Sequence, residues 1–265
     1  MFAAAMQAHR FSAAVFGLLL STTACENKSK PKDTPAGEAT AQKPAGEMNA
    51  EPVGKEPELP KQPSPDPAPG ADVRKPVAAD LAEYTKDLPG SGSKLLAKIE
   101  TSLGTFNCEL YGDKAPVTVA NFVGLATGKK PWLNPKTGNV ERGKPYFEGI
   151  TFHRVIPGFM IQGGDPLGEG IGGPGYNFDD EIWQGAEVGP GSLAMANAGI
   201  RGGGGTNGSQ FFIMEGRRPD LDPKHTVFGK CAELDLIKKI SSVPTGAADR
   251  PQTPVTINKI TISKA

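Results

Sequence analysis

The residues of this 265-residue chain best suited to chemistry fall in three blocks. The first is Phe152-His-Arg-Val-Ile-Pro-Gly-Phe-Met-Ile-Gln-Gly-Gly-Asp165. The second runs from Gly191-Ser-Leu-Ala-Met-Ala-Asn-Ala-Gly199 to Thr206-Asn-Gly-Ser-Gln-Phe-Phe-Ile213, and the third is Leu221-Asp-Pro-Lys-His-Thr-Val-Phe-Gly229. Together they supply an apolar set (Phe159, Met160, Phe212, Leu221) and a few polar groups: Arg154, Gln162, Asn197, Gln210 and His225. An apolar lining with a few placed polar groups is what a small-molecule or peptide pocket needs. The same residues also suit a glycine-rich barrel core with polar rims, because the flanking glycines let backbones approach closely.

Other chemistries find no support. Gly168-Glu-Gly-Ile-Gly-Gly173 satisfies G-x-G-x-x-G, but Pro174-Gly175 follows where a dinucleotide site needs a helix to open. The Gly202–Gly205 run has no following Lys-Ser/Thr, so it is not a P-loop. His9, His153 and His225 lack metal-ligand spacing, so no metal or cofactor is expected. There is no G-x-S-x-G and no oriented Cys–His pair, which leaves acyl transfer without a nucleophile. Basic and acidic side chains balance at 29 each, so nucleic acid is not an expected partner.

The blocks must be positioned by the segment Lys94–Ala265, which holds most of the aromatic residues. Lys98 to Tyr111 reads as two alternating strands around Ser102-Leu-Gly104. Asp113-Lys-Ala-Pro116 opens a helix with Val119, Phe122, Val123 and Ala126 on one face, and Gly128 stops it. A second helix is expected near Glu233–Ile240 and a last strand over Val255–Ile262. Short strands without βαβ alternation argue a mainly β fold, a closed antiparallel barrel with a few helices.

The N-terminal part is of another kind. Residues 1–24 read as a signal peptide, with an apolar run of about ten residues ending at Leu20, too short to span a bilayer. Thr23-Ala24-Cys25 resembles a bacterial lipobox, with cleavage before Cys25 and lipidation of Cys25; Thr22 departs from the aliphatic residue usual there. An ordinary cleaved signal is the alternative. Residues 25–93 are rich in Pro and charge, as in Gln62-Pro-Ser-Pro-Asp-Pro-Ala-Pro69, and are expected to form a disordered tether. The location expected is the periplasmic face of a bacterial membrane, with the lipid as anchor, or else a soluble exported state.

The three blocks, in their order and spacing, resemble the cyclophilin family of peptidyl-prolyl cis–trans isomerases over the whole of roughly 94–265. The resemblance implies an eight-stranded antiparallel barrel capped by two α-helices, acting as a monomer on Pro-containing polypeptides without cofactor or metal. It makes Arg154 the catalytic arginine. Phe159, Met160, Phe212, Leu221 and His225 would form the proline pocket, while Gln162, Ala196, Asn197 and Gln210 would hold the peptide backbone and Gly170 the groove wall. The competing class is a non-catalytic module that binds Pro-containing segments. Joint retention of Arg154, Phe159, Gln162, Phe212 and His225 favours the enzyme.

Departures from the family pattern are local. Asp220 stands where many members have Trp before the pocket leucine, which implies weak inhibition by cyclosporin. Ile200-Arg-Gly-Gly-Gly-Gly205 is about four residues longer than the common form and is expected to be a mobile loop at the groove edge. Lys129–Lys144 looks like an insertion of bacterial members. Cys108 and Cys231 read as two buried thiols rather than a disulfide, though an oxidising compartment would permit a bond.

Overall fold

The computed structural model describes residues 72–265. The expected signal segment 1–24, the lipidation site Cys25 and the tether up to residue 71 lie outside the described residues. The chain forms α1 (Asp80–Thr85), β1 (Leu95–Thr101), β2 (Gly104–Leu110), α2 (Pro116–Thr127), β3 (Trp132–Leu133) and β4 (Val140–Glu141). It continues with β5 (Arg154–Ile156), β6 (Met160–Gly163), β7 (Ser192–Met195), β8 (Phe211–Met214), β9 (Val227–Cys231), α3 (Leu234–Ser241) and β10 (Ile257–Lys264).

Local chemistry explains the best-formed elements. β1 and β2 alternate buried and more exposed side chains, and pair in register from Leu95 with Leu110 to Thr101 with Gly104. α2 starts on Pro116, whose missing N–H is no loss in a first turn. It ends at Gly128, which takes φ 72° and donates its N–H to the Leu125 carbonyl.

Eight strands make one antiparallel sheet in the order β10-β1-β2-β9-β7-β8-β6-β5. The sheet curls but does not close, which corrects the expectation of a closed barrel. No ladder joins the edge strands β5 and β10; the chain ahead of β5 meets the start of β10 through one bridge, Thr151 to Thr256, and the bonds Phe152 N–H to Val255, Ile257 N–H to Ile150 and Gly149 N–H to Ile257 carbonyls. β5 is three residues long, and Pro251 and Pro254 ahead of β10 have no N–H with which to extend a ladder.

The sheet is apolar on both faces where β5, β6, β7 and β8 meet. Phe152, Val155, Ile161, Leu193, Phe211 and Ile213 face the main core with Phe122, Phe147 and Phe228. Met160, Ala194, Phe212 and Met214 face the other way and form a second cluster with Phe159 and Leu221. Residues alternate faces along a strand, so β8, apolar on both faces, reads as an unbroken apolar run, while β5 and β6 also turn Arg154 and Gln162 toward the second face.

Two further expectations are corrected. Residues 72–93, placed in the tether from their composition, are ordered against the domain and contribute α1, a third α-helix. Asp80 accepts two hydrogen bonds from the Arg74 guanidinium, at 2.6 and 2.9 Å, and one from the Val77 N–H. Lys130 Nζ donates to the Arg74 carbonyl at 2.8 Å, and Lys129 Nζ to the Tyr84 carbonyl at 3.0 Å. Tyr84 packs so closely on α2 that a Cβ at Gly124 would lie 2.7 Å from its ring. Cys108 and Cys231, read as free thiols, lie opposite one another in the β2–β9 ladder and form a disulfide.

Candidate active site

The groove is built on the second apolar cluster. Arg154 on β5 lies opposite Gln162 on β6, and Gln162 lies opposite Phe212 on β8. Directly opposed residues of an antiparallel ladder share a face, so register alone lines up guanidinium, amide and phenyl ring. Met160 is two residues from Gln162 and therefore points the same way. The hollow above this row has a volume of about 910 Å³.

Every catalytic and substrate-binding residue expected from the sequence borders that one groove: Arg154, Phe159, Met160, Gln162, Gly170, Ala196, Asn197, Gln210, Phe212, Leu221 and His225. Phe159 sits in the β5–β6 turn, and the Arg218 guanidinium covers its ring at 4.8 Å. Leu221 ends a 3-10 turn, Pro219–Leu221, and the His225 N–H bonds back to the Leu221 carbonyl. His225 Nδ1 is 3.0 Å from the Met195 carbonyl oxygen, which can only accept. Nδ1 therefore carries the proton, and the imidazole and Phe212 rings stand T-shaped at 5.4 Å between centroids.

The polar groups are held by a network. Gln162 Nε2 donates to Gln210 Oε1 at 3.0 Å, and Gln210 Nε2 donates to the Gly172 carbonyl at 3.0 Å. Asn197 Nδ2 donates to the Asp180 carboxylate and to Asn207 Oδ1, while Ala196 N–H bonds the Gln210 carbonyl. The wall loop carrying Gly170 wraps the Asp165 carboxylate, which accepts N–H bonds from Leu167, Glu169, Gly170 and Ile171. Burial pushes the Asp165 carboxyl up, but backbone N–H groups of Leu167, Glu169, Gly170 and Gly172 together outweigh it and hold the carboxyl below its ordinary range. His153, beside Arg154, is buried with neither ring nitrogen bonded to a described residue, and burial pulls its pKa down.

Sequence reasoning missed several groups at the groove. Leu133, Tyr176 and Arg201 extend the lining beyond the residues expected from the sequence. The loop expected to be mobile is a small closed turn: Arg201 and Gly204 exchange both backbone hydrogen bonds, and Thr206 Oγ1 bridges Ala198 N–H and the Gly199 carbonyl. Asp220, at the position of the family's Trp, is taken up by an ion pair with Arg218. Asp249 lies 3.3 Å from Arg154 Nε, and no motif marked it.

Comparison with known proteins agrees with this geometry. The family model described as cyclophilin type peptidyl-prolyl cis-trans isomerase/CLD matches residues 96–262. Peptidyl-prolyl cis-trans isomerase A of Mycobacterium tuberculosis is 48% identical over 171 residues, 63% of this chain and 91% of that protein. Peptidyl-prolyl cis-trans isomerase B of Streptomyces anulatus is 46% identical over 176 residues, 64% of this chain and 97% of that protein. A cyclophilin-type isomerase from Cryptosporidium parvum superposes with a TM-score of 0.56 at 30% identity, covering 65% of this chain and 99% of that one. The same protein has been solved in the presence of the dipeptide Ala-Pro, and superposes with a TM-score of 0.54 at 31% identity. With the matched residues spanning the sheet, both capping helices and the whole groove, this chain belongs to the cyclophilin-type peptidyl-prolyl cis–trans isomerase family.

Proposed function

We propose that this chain isomerises X–Pro peptide bonds through Arg154, and that it does so outside the cytoplasm. The observation that carries the first part is the row Arg154–Gln162–Phe212, which sets a guanidinium beside the apolar cluster of Phe159, Met160, Phe212 and Leu221. Rotation about an X–Pro bond faces a barrier of about 18–20 kcal/mol because twisting breaks amide resonance. No nucleophile is required for that rotation. As the bond twists, the electron pair withdraws from the C–N bond onto the proline nitrogen. A guanidinium beside that nitrogen can donate to the localised pair, and it never loses its proton. The interaction strengthens only as the amide twists, so it lowers the barrier rather than tightening ground-state binding. Phe159, Met160, Phe212 and Leu221 take the ring, and Gln162, Gln210, Asn197 and the Ala196 backbone take the flanking peptide.

The second part is supported by the apolar run ending at Leu20, with Thr23-Ala24-Cys25 after it, and by the Cys108–Cys231 disulfide, a bond that persists in oxidising compartments. Lipidation at Cys25 would place the domain at a membrane surface, with the Pro-rich segment as spacer, where it assists the folding of exported chains. Replacing Arg154 with Ala tests the catalytic reading: the fold is retained and turnover is lost. Wild-type turnover in that variant would contradict it.

A further inference from the structure

We propose that Asp249 is a positioning residue for Arg154: it holds the guanidinium by Nε and leaves Nη1 and Nη2 for the groove. The inference rests on the reading of Arg154 given above. Asp249 Oδ2 lies 3.3 Å from Arg154 Nε, and no other side-chain hydrogen bond of Arg154 occurs among the described residues. A guanidinium has five donors in one rigid plane, so fixing Nε sets the direction of the remaining fork.

The backbone that delivers Asp249 is unusual. Ala248, at φ 58°, and Asp249, at φ 57°, are the non-glycine residues with positive φ among those described. Consecutive L-residues adopt that region at an energetic cost, and such conformations persist where the surroundings over-determine them. Here the surroundings do so. Gly246 N–H bonds the Arg250 carbonyl at 2.8 Å, Thr245 bridges to Pro251, and Gln252 N–H bonds the Pro244 carbonyl at 2.9 Å. Arg250 Nη2 then donates to the Gly168 carbonyl at 2.6 Å, so the same turn also ties the wall loop that carries Gly170.

Stability does not account for this arrangement. The Arg154 and Asp249 side chains are 41% and 48% exposed, and exposed ion pairs add little to folding. A carboxylate held on a left-handed turn against one nitrogen of Arg154 is explained by what it does to the orientation of that arginine.

The test uses the full chain with Asp249→Gly, which suits the positive φ while removing the carboxylate, and Asp249→Asn, which keeps an acceptor without the charge. Both are compared with wild type and Arg154→Ala for kcat, KM and Tm, and with wild type alone by the Arg154 Nε–Hε resonance of 15N-labelled protein. For Asp249→Gly the expected result is a kcat lower by roughly fivefold to tenfold, with KM within about twofold, from loss of orientation. Its Tm is not lowered, and the Nε–Hε resonance is broadened; Asp249→Asn falls between it and wild type. If Arg154→Ala is inactive but Asp249→Gly keeps the wild-type kcat, the inference on Asp249 fails alone. A rise in KM at constant kcat, or activity lost in step with Tm in both variants, also overturns it. Wild-type turnover in Arg154→Ala would instead overturn the reading of Arg154 itself.

Discussion

Lys130 gives the ordered N-terminal segment a measurable signature. Its side chain is only 1% exposed, its Nζ donates to the Arg74 carbonyl, and the ammonium sits 4.5 Å above the Tyr176 ring. Burial, reinforced by the Arg74 guanidinium and opposed by Asp80, pushes its pKa down to about 8. The unfolded chain holds that proton up to about 10.4. Between these values the unfolded state binds more protons than the native state, so stability rises with pH in that window and the full penalty applies below it. For wild type this amounts to about 2 kcal/mol between pH 7.5 and 9.5, of which about 1–2 kcal/mol remains after the opposing contribution of the buried phenols. With an m-value of about 2 kcal/mol/M, the urea midpoint moves up by about 0.5–1 M. Tyr84, Tyr111, Tyr146 and Tyr176 oppose this rise weakly: burial raises all four phenols above their ordinary values, so near pH 9.5 the unfolded chain begins to release their protons first, at about 0.1–0.2 kcal/mol each. Urea unfolding followed by tryptophan fluorescence at the two pH values reads the shift. In Lys130→Met the pH dependence is flattened, while loss of the hydrogen bond to Arg74 costs about 1 kcal/mol at either pH. A wild-type midpoint that is flat or falls with pH, or an equal rise in Lys130→Met, would refute the reasoning.

Other outcomes follow from the same structure. The Cys108–Cys231 bond spans a sequence separation of 123, and loop entropy puts its contribution at about 4–5 kcal/mol as an upper value. Dithiothreitol, or the Cys108→Ser/Cys231→Ser pair, is expected to lower stability by about 2–5 kcal/mol; unchanged unfolding under reduction would contradict this. Cys25→Ala is expected to move the protein from the detergent phase to the aqueous phase in Triton X-114 partitioning. A wild-type protein already in the aqueous phase would exclude the lipid anchor.

The parts of the fold legible in the sequence are those written in local chemistry. Pro116 and Gly128 bracket α2 because each suits a helix end, and the alternation in β1 and β2 shows which face is buried. The groove was legible because its residues lie in long contiguous blocks, brought together by strand register. What was not legible depends on distant partners. The run around α1 follows Pro-rich chain, and its order comes from Lys129, Lys130 and the cleft at Gly124, tens of residues away. The disulfide required knowing that β2 and β9 pair with Cys108 opposite Cys231, a register that no spacing encodes. Barrel closure fails at short strands and prolines whose neighbours cannot be read in advance. Asp249 escaped notice because a left-handed turn built on Ala-Asp carries no glycine to mark it.

The central claim is that a guanidinium beside the proline pocket stabilises the twisted X–Pro bond. Its most direct test is kcat/KM of the full chain on an X–Pro peptide in a protease-coupled isomerisation assay, comparing wild type with Arg154→Ala and Arg154→Lys. The account predicts efficient turnover by wild type and loss of most activity in both variants at unchanged thermal stability, since an ammonium lacks the planar fork. Near-wild-type turnover in Arg154→Ala would contradict it.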